Sequence, residues 1–159
     1  MPEPNQRIER HDPTIIAVCG KGGVGKTTLS AMLTRIMMAR DPARVLAIDA
    51  DPAAGLSTAL GLPVTQTVDN IRCDLVRDLG SGNTVDREET LHRLDYEVMA
   101  ALVEERNLAF LAIGRPEGEG CYCRVNHLLK DIIGRLAQQF DYVIIDGEAG
   151  IEQVNRRVM

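Results

Sequence analysis

The chain has 159 residues, a one-domain length, with 45% hydrophobic residues, 3% aromatics and no Trp, so its core is aliphatic. Its net charge of −5 argues against a surface built to coat nucleic acid or an anionic membrane. No stretch approaches the roughly 18 apolar residues of a membrane span, and the polar start lacks an apolar signal core, so a cytoplasmic protein is expected, its four Cys serving as thiols or metal ligands rather than disulfides.

Residues 1–13 are expected to form a flexible leader and 14–159 the domain. Residues 14–19 (TIIAVC) are a β-branched apolar run that stops at Gly20, the pattern of a buried parallel strand. A glycine-rich segment follows. Residues 26–40 predict a helix with Leu29, Leu33, Ile36 and Met37 on one face, ended by Asp41-Pro42. Residues 45–49 predict a second buried strand. From 52 to about 107 the sequence is polar and shows little periodicity, except that Leu91, Leu94, Val98 and Leu102 predict a helix near its end. Residues 108–113 predict a third strand, followed by a loop at 114–120 (GRPEGEG). Leu128, Leu129, Ile132, Ile133 and Leu136 mark another helix, and 142–145 a fourth strand ending at Asp146. Strands alternating with helices through short links predict an α/β fold, a parallel sheet with helices on both faces. There is no internal repeat.

Gly20, Lys21, Gly22, Gly23, Val24, Gly25, Lys26 and Thr27 spell G-x-x-x-x-G-K-[ST], with a predicted strand before and a helix after, and Thr28 next in line. Glycines let the backbone turn its N–H groups inward onto phosphate oxygens. The helix starting near Lys26 adds its positive N-terminal end. Lys26 brings a point charge to the β/γ-phosphates and the Thr27 hydroxyl can bind Mg²⁺. ATP with Mg²⁺ is the expected ligand.

Three carboxylates follow predicted strands, on the ligand side of such a sheet. Asp49 and Asp51 lie in A-I-D-A-D-P; Asp49 is expected to support the Mg²⁺ shell, and Asp51 also suits a helix N-cap. Asp146 ends Y-V-I-I-D, the four-apolar-then-Asp pattern that holds Mg²⁺ directly or through water.

Cys121 and Cys123 flank Tyr122 in G-C-Y-C. A disulfide across that spacing is strained. The pair can instead offer two thiolates to one soft metal, which leaves a tetrahedral site half empty. A second copy would complete it across a two-fold axis.

The string K-G-G-V-G-K-T-T resembles the deviant Walker A of the MinD/ParA and nitrogenase iron-protein P-loop superfamily. That resemblance implies an ATP-gated homodimer in which Lys21 reaches the partner's nucleotide. Asp51-Pro52 resembles the first switch, where the matching Asp positions the attacking water, and D-G-E-A-G at 146–150 resembles the second. The catalytic set implied is Lys21, Lys26 and Asp51. G-R-P-E-G-E-G-C-Y-C, then N-H-L-L and D-G-E-A-G-I-E, resembles the CooC-type ATPases that aid nickel insertion into carbon monoxide dehydrogenase. The likeness runs from 14 to about 156 and departs from the family pattern at Gly147, usually Thr, and Gln153, usually His. It implies Ni²⁺ at Cys121 and Cys123, with Zn²⁺ a competing occupant, and carbon monoxide dehydrogenase as client, without nucleic acid or membrane partners. It also implies a domain that continues beyond 159. The alternatives are a MinD/ParA-like positioning or partition ATPase that binds membrane or DNA, and a non-functional truncated fragment. Cys19 is expected in the core, Met32, Met37 and Met38 in helix packing, and Cys73, His127, Glu148 and Glu152 outside the site.

Overall fold

The computed structural model describes residues 12–40, 42–80, 87–115 and 123–147. Within these the order is β1 (Thr14–Val18), α1 (Lys26–Met38), β2 (Val45–Asp49), α2 (Gly55–Leu60), α3 (Val68–Gly80), α4 (Arg87–Ala100), β3 (Val103–Glu105), β4 (Leu108–Ala112), α5 (Cys123–Ala137) and β5 (Tyr142–Asp146). The five strands form one sheet in the order β1-β5-β2-β4-β3. β1, β5, β2 and β4 are mutually parallel, as expected.

β3 was not foreseen. It pairs antiparallel with β4 at the sheet edge, turning back at Arg106, whose φ is +56°. Three residues, two of them Glu, carry too little apolar pattern to announce a strand, and a short charged strand suits an exposed edge. Nor did the polar stretch between β2 and β3 announce α2 and α3. α2 is one and a half turns long, and α3 interleaves its apolar residues with charge.

Side chains alternate across the strands and build two cores. Leu46, Ile48, Ala109, Leu111, Val143 and Ile145 face α3, α4 and α5. Val45, Ala47, Leu108, Phe110 and Ile144 face α1 and α2. Helices therefore cover both faces. β2, β4 and β5 are buried almost throughout, which is why they read as continuous apolar runs. β1 is the other edge strand and leaves Ile15 46% exposed.

The expected apolar face of α1 holds at Leu33 and Met37 and is corrected at Leu29 and Ile36. Its buried residues are Ser30, Ala31 and Thr34, while Leu29, Met32 and Ile36 are about half exposed. Leu33, Met37 and Met38 are partly buried against the sheet, so Met32 alone of the three methionines departs from the packing role expected of it. The small polar residues on the buried side of the helix are hydrogen-bonded there: Ser30 Oγ donates to Asp146 Oδ1 and Thr34 Oγ1 to Ser30 O. Cys19 lies just past β1 and packs against the core, as expected.

Candidate nucleotide-binding site

The parallel strands end together, and their last residues form a row. Val18 pairs with Asp146, Asp146 with Asp49, and Asp49 with Ala112. Two carboxylates thus sit side by side at the ligand end of the sheet, beside the loop that leaves β1. Gly147 N–H donates to Val18 O at 3.0 Å and extends the ladder past Asp146.

The loop from Gly20 to Gly25 is a tight crown. Gly23 and Gly25 have φ of +79° and +90°, a left-handed conformation that a side chain would strain. Gly25 is the N-cap of α1 and makes no side-chain cap, so the first N–H groups of the helix remain available to an anion. Lys26 Nζ donates to Lys21 O at 3.4 Å, laying the ammonium back across the loop. Lys21, Gly22, Gly23 and Val24 are exposed; Thr27 is half-buried and Thr28 exposed.

Asp146 is fully buried. Its Oδ1 accepts a hydrogen bond from Ser30 Oγ at 3.0 Å, and its Oδ2 has no partner among the described residues. A bare carboxylate oxygen in a buried place costs about 1–3 kcal/mol. Such an atom suits a divalent cation, directly or through a water. A cation on a nucleotide needs only one or two protein ligands besides phosphate oxygens, so the donor set of Asp146 and Thr27 fits Mg²⁺. Among the described residues no cluster of three or more His, Cys, Asp or Glu forms a metal site by itself.

Ser30 was missed from the sequence. The signal was present: it follows Thr27 by three residues, one helical turn, on the same face.

Asp49, the residue expected to support a Mg²⁺ shell, stands beside Asp146 at the end of β2. It is 1% exposed, and both carboxylate oxygens are taken by backbone N–H groups: Asp51 at 3.2 Å and Leu56 at 2.9 Å. Its carboxyl is raised to about 6, chiefly by burial and further by the charges of Asp146 and Asp51, against the lowering effect of the hydrogen bonds from Leu56 and Asp51. Asp51 is half-buried, and its Oδ1 accepts from Ala53 N–H at 2.9 Å in a tight turn rather than capping α2. α2 sits directly on the phosphate loop. A methyl placed on Gly55 would lie 3.4 Å from Thr27 Cγ2 and 3.8 Å from its Oγ1.

Cys121 lies outside the described residues, as do Glu148 and Glu152, and so does the side chain of Cys123, whose backbone opens α5. Cys73 is half-buried on α3 with Sγ 3.7 Å from Asp69 Oδ2, and His127 is exposed on α5.

The profile of an AAA domain family, AAA_31, matches residues 13–159. The chain belongs to that family. Among the relatives of this AAA domain, an uncharacterized ATP-binding protein of Methanocaldococcus jannaschii is 42% identical over 149 residues, covering 90% of this chain and 56% of that protein. The carbon monoxide dehydrogenase accessory protein CooC of Rhodospirillum rubrum is 35% identical over 150 residues, covering 89% and 57%. The chain therefore spans little more than half the length of these relatives. Among solved structures, a ParA family ATPase from Chlorobium tepidum superposes with a TM-score of 0.57 at 20% identity, covering 87% of this chain and 52% of that one. The fold is that of the ParA/MinD P-loop NTPases. No described helix is long and apolar enough to cross a membrane.

Proposed function

We propose that this AAA domain is the nucleotide-binding part of an ATP-hydrolysing metal-delivery protein of the CooC kind, working as a homodimer. The observation that carries the reading is the bare Oδ2 of buried Asp146, beside a phosphate-binding loop. The cargo half rests on Cys121 and Cys123 in a chain 35% identical to CooC.

In this reading the loop N–H groups and Lys26 bind the phosphates of ATP. Thr27 and Asp146 hold Mg²⁺, which when bound neutralises charge on the β- and γ-phosphates. Asp51 orients the attacking water. Lys21, exposed at the tip of the loop, reaches toward the nucleotide of the second copy. Cys121 and Cys123 take up Ni²⁺ as cargo, with Zn²⁺ a competitor, and the pairs of two copies complete a four-sulfur set. Hydrolysis loosens the two copies and releases the metal toward carbon monoxide dehydrogenase.

The test is a Cys121→Ala/Cys123→Ala double variant, measured by equilibrium dialysis against nickel and by binding of a fluorescent ATP analogue. Stoichiometric nickel should disappear while ATP binding stays. Undiminished nickel binding overturns the metal-delivery reading.

A further inference from the structure

We infer that Asp49 is a positioning residue: its carboxylate clamps the strained loop that carries Asp51 and seats that loop against the phosphate-binding loop. The inference rests on the proposed role of Asp51 in hydrolysis.

Four observations meet at this carboxylate. The first is its pair of acceptors. One oxygen takes Asp51 N–H, the other Leu56 N–H, so the single side chain grips the connection between β2 and α2 at both ends. The second is what the helix lacks. α2 has no side-chain cap of its own; its N-cap is Ala54, which cannot supply one. Asp49, projecting from the end of β2, satisfies the Leu56 donor in its place. The third is strain. Ala54 has φ +49° and ψ +44°, a left-handed conformation that an alanine adopts at a cost, and it persists only where neighbours hold it. The fourth is the place where the clamp acts. Gly55, next to the strained residue, packs on Thr27 of the phosphate loop. Leu56, whose N–H is gripped, is fully buried in the core under α1.

A carboxylate with both oxygens occupied by backbone donors holds loop geometry rather than the cation. Asp146, with one oxygen bare, is built the opposite way. The two aspartates stand side by side in the sheet register and divide the work. Removing the clamp lets Ala54 relax, and the aim of Asp51 is lost while the phosphate loop keeps its shape.

The experiment compares Asp49→Asn, Ala54→Gly and their combination in the 159-residue chain, each checked for folding by circular dichroism. An asparagine offers one acceptor where two donors converge and turns an N–H₂ group toward the other. The loss of one charge-assisted hydrogen bond should lower kcat about 10–100-fold. The KM for ATP and the half-saturating Mg²⁺ concentration should hardly move. Ala54→Gly in the Asp49→Asn background should restore kcat several-fold, because glycine adopts the left-handed conformation without a clamp. Rescue of Asp49→Asn by raised Mg²⁺, or no recovery on adding Ala54→Gly, overturns the inference. Hydrogen exchange at the Asp51 and Leu56 amides decides the clamp even if the wild-type chain turns over no ATP. Both amides should exchange faster in Asp49→Asn, and unchanged protection there refutes the clamp.

Discussion

Replacing Gly114 with Ala puts a methyl group where the structure has no room for one. Gly114 follows β4 with φ +85°, and a Cβ there would lie 2.6 Å from Thr67 Oγ1, 2.8 Å from Thr67 Cβ and 3.3 Å from Asp69 Cβ. These neighbours cannot easily yield. Thr67 caps α3: its Oγ1 accepts Asn70 N–H at 3.2 Å, and Asn70 Oδ1 accepts Thr67 N–H at 3.0 Å. Asp69 N–H donates to Ile113 O at 2.9 Å, tying the same helix end to β4. Overpacking of this kind costs about 1–3 kcal/mol. The left-handed backbone adds about 1–2 kcal/mol for an alanine, offset by about 0.4–1 kcal/mol from the lost freedom of glycine in the unfolded chain. The net loss is about 1–5 kcal/mol, a large part of a typical domain's stability. At roughly 2–4 °C per kcal/mol for a chain of this size, Tm should fall by about 2–20 °C. Thermal and urea denaturation followed by circular dichroism measure it. Thr67→Gly removes both clashing atoms, so combining it with Gly114→Ala should show a favourable coupling of about 1–3 kcal/mol. A loss below about 1 kcal/mol, or strict additivity in the cycle, refutes the packing argument.

The raised carboxyl of Asp49 makes stability depend on pH in a stated direction. Between its ordinary 3.8 and about 6 the folded chain holds a proton that the unfolded chain has released, so the contribution of Asp49 to stability is fully present below 3.8 and is lost as pH rises to about 6. In the absence of Mg²⁺ the displacement corresponds to about 3 kcal/mol, and Asp49→Asn should flatten that window in urea titrations; an equal slope in the variant contradicts the assignment. Asp146→Asn should abolish most of the stabilisation that Mg²⁺ adds to ATP binding. In the parent chain, ligand at about 100-fold its Kd stabilises by about 2.7 kcal/mol. Differential scanning fluorimetry with ATP, with and without Mg²⁺, reads this directly. A full Mg²⁺-dependent shift in Asp146→Asn would show that another group holds the cation.

The phosphate loop was legible because its chemistry is contiguous. Gly20 to Thr28 carry their meaning in spacing alone, and the strand before and the helix after are equally local signals. The four parallel strands were legible for a related reason. Strands buried on both faces must be apolar throughout, so each appears as a short run bounded by polar residues. Asp146 could be singled out because it closes such a run.

Tertiary structure decided the rest. The partner of Asp146 is Ser30, 116 residues away in sequence, and only the register of β1, β5 and β2 brings helix and strand to that distance. The same register lines Asp49 up with Asp146, while the backbone that follows occupies both of its oxygens, a distinction invisible in A-I-D-A-D-P. The buried face of α1 also depends on the fold. Of the face its apolar residues suggest, Leu33 and Met37 pack on the core, while Ser30, Ala31 and Thr34 are buried and Leu29, Met32 and Ile36 turn outward. Local spacing determines which residues can bind phosphate; the sheet that gathers distant segments determines which carboxylate is left open to a cation.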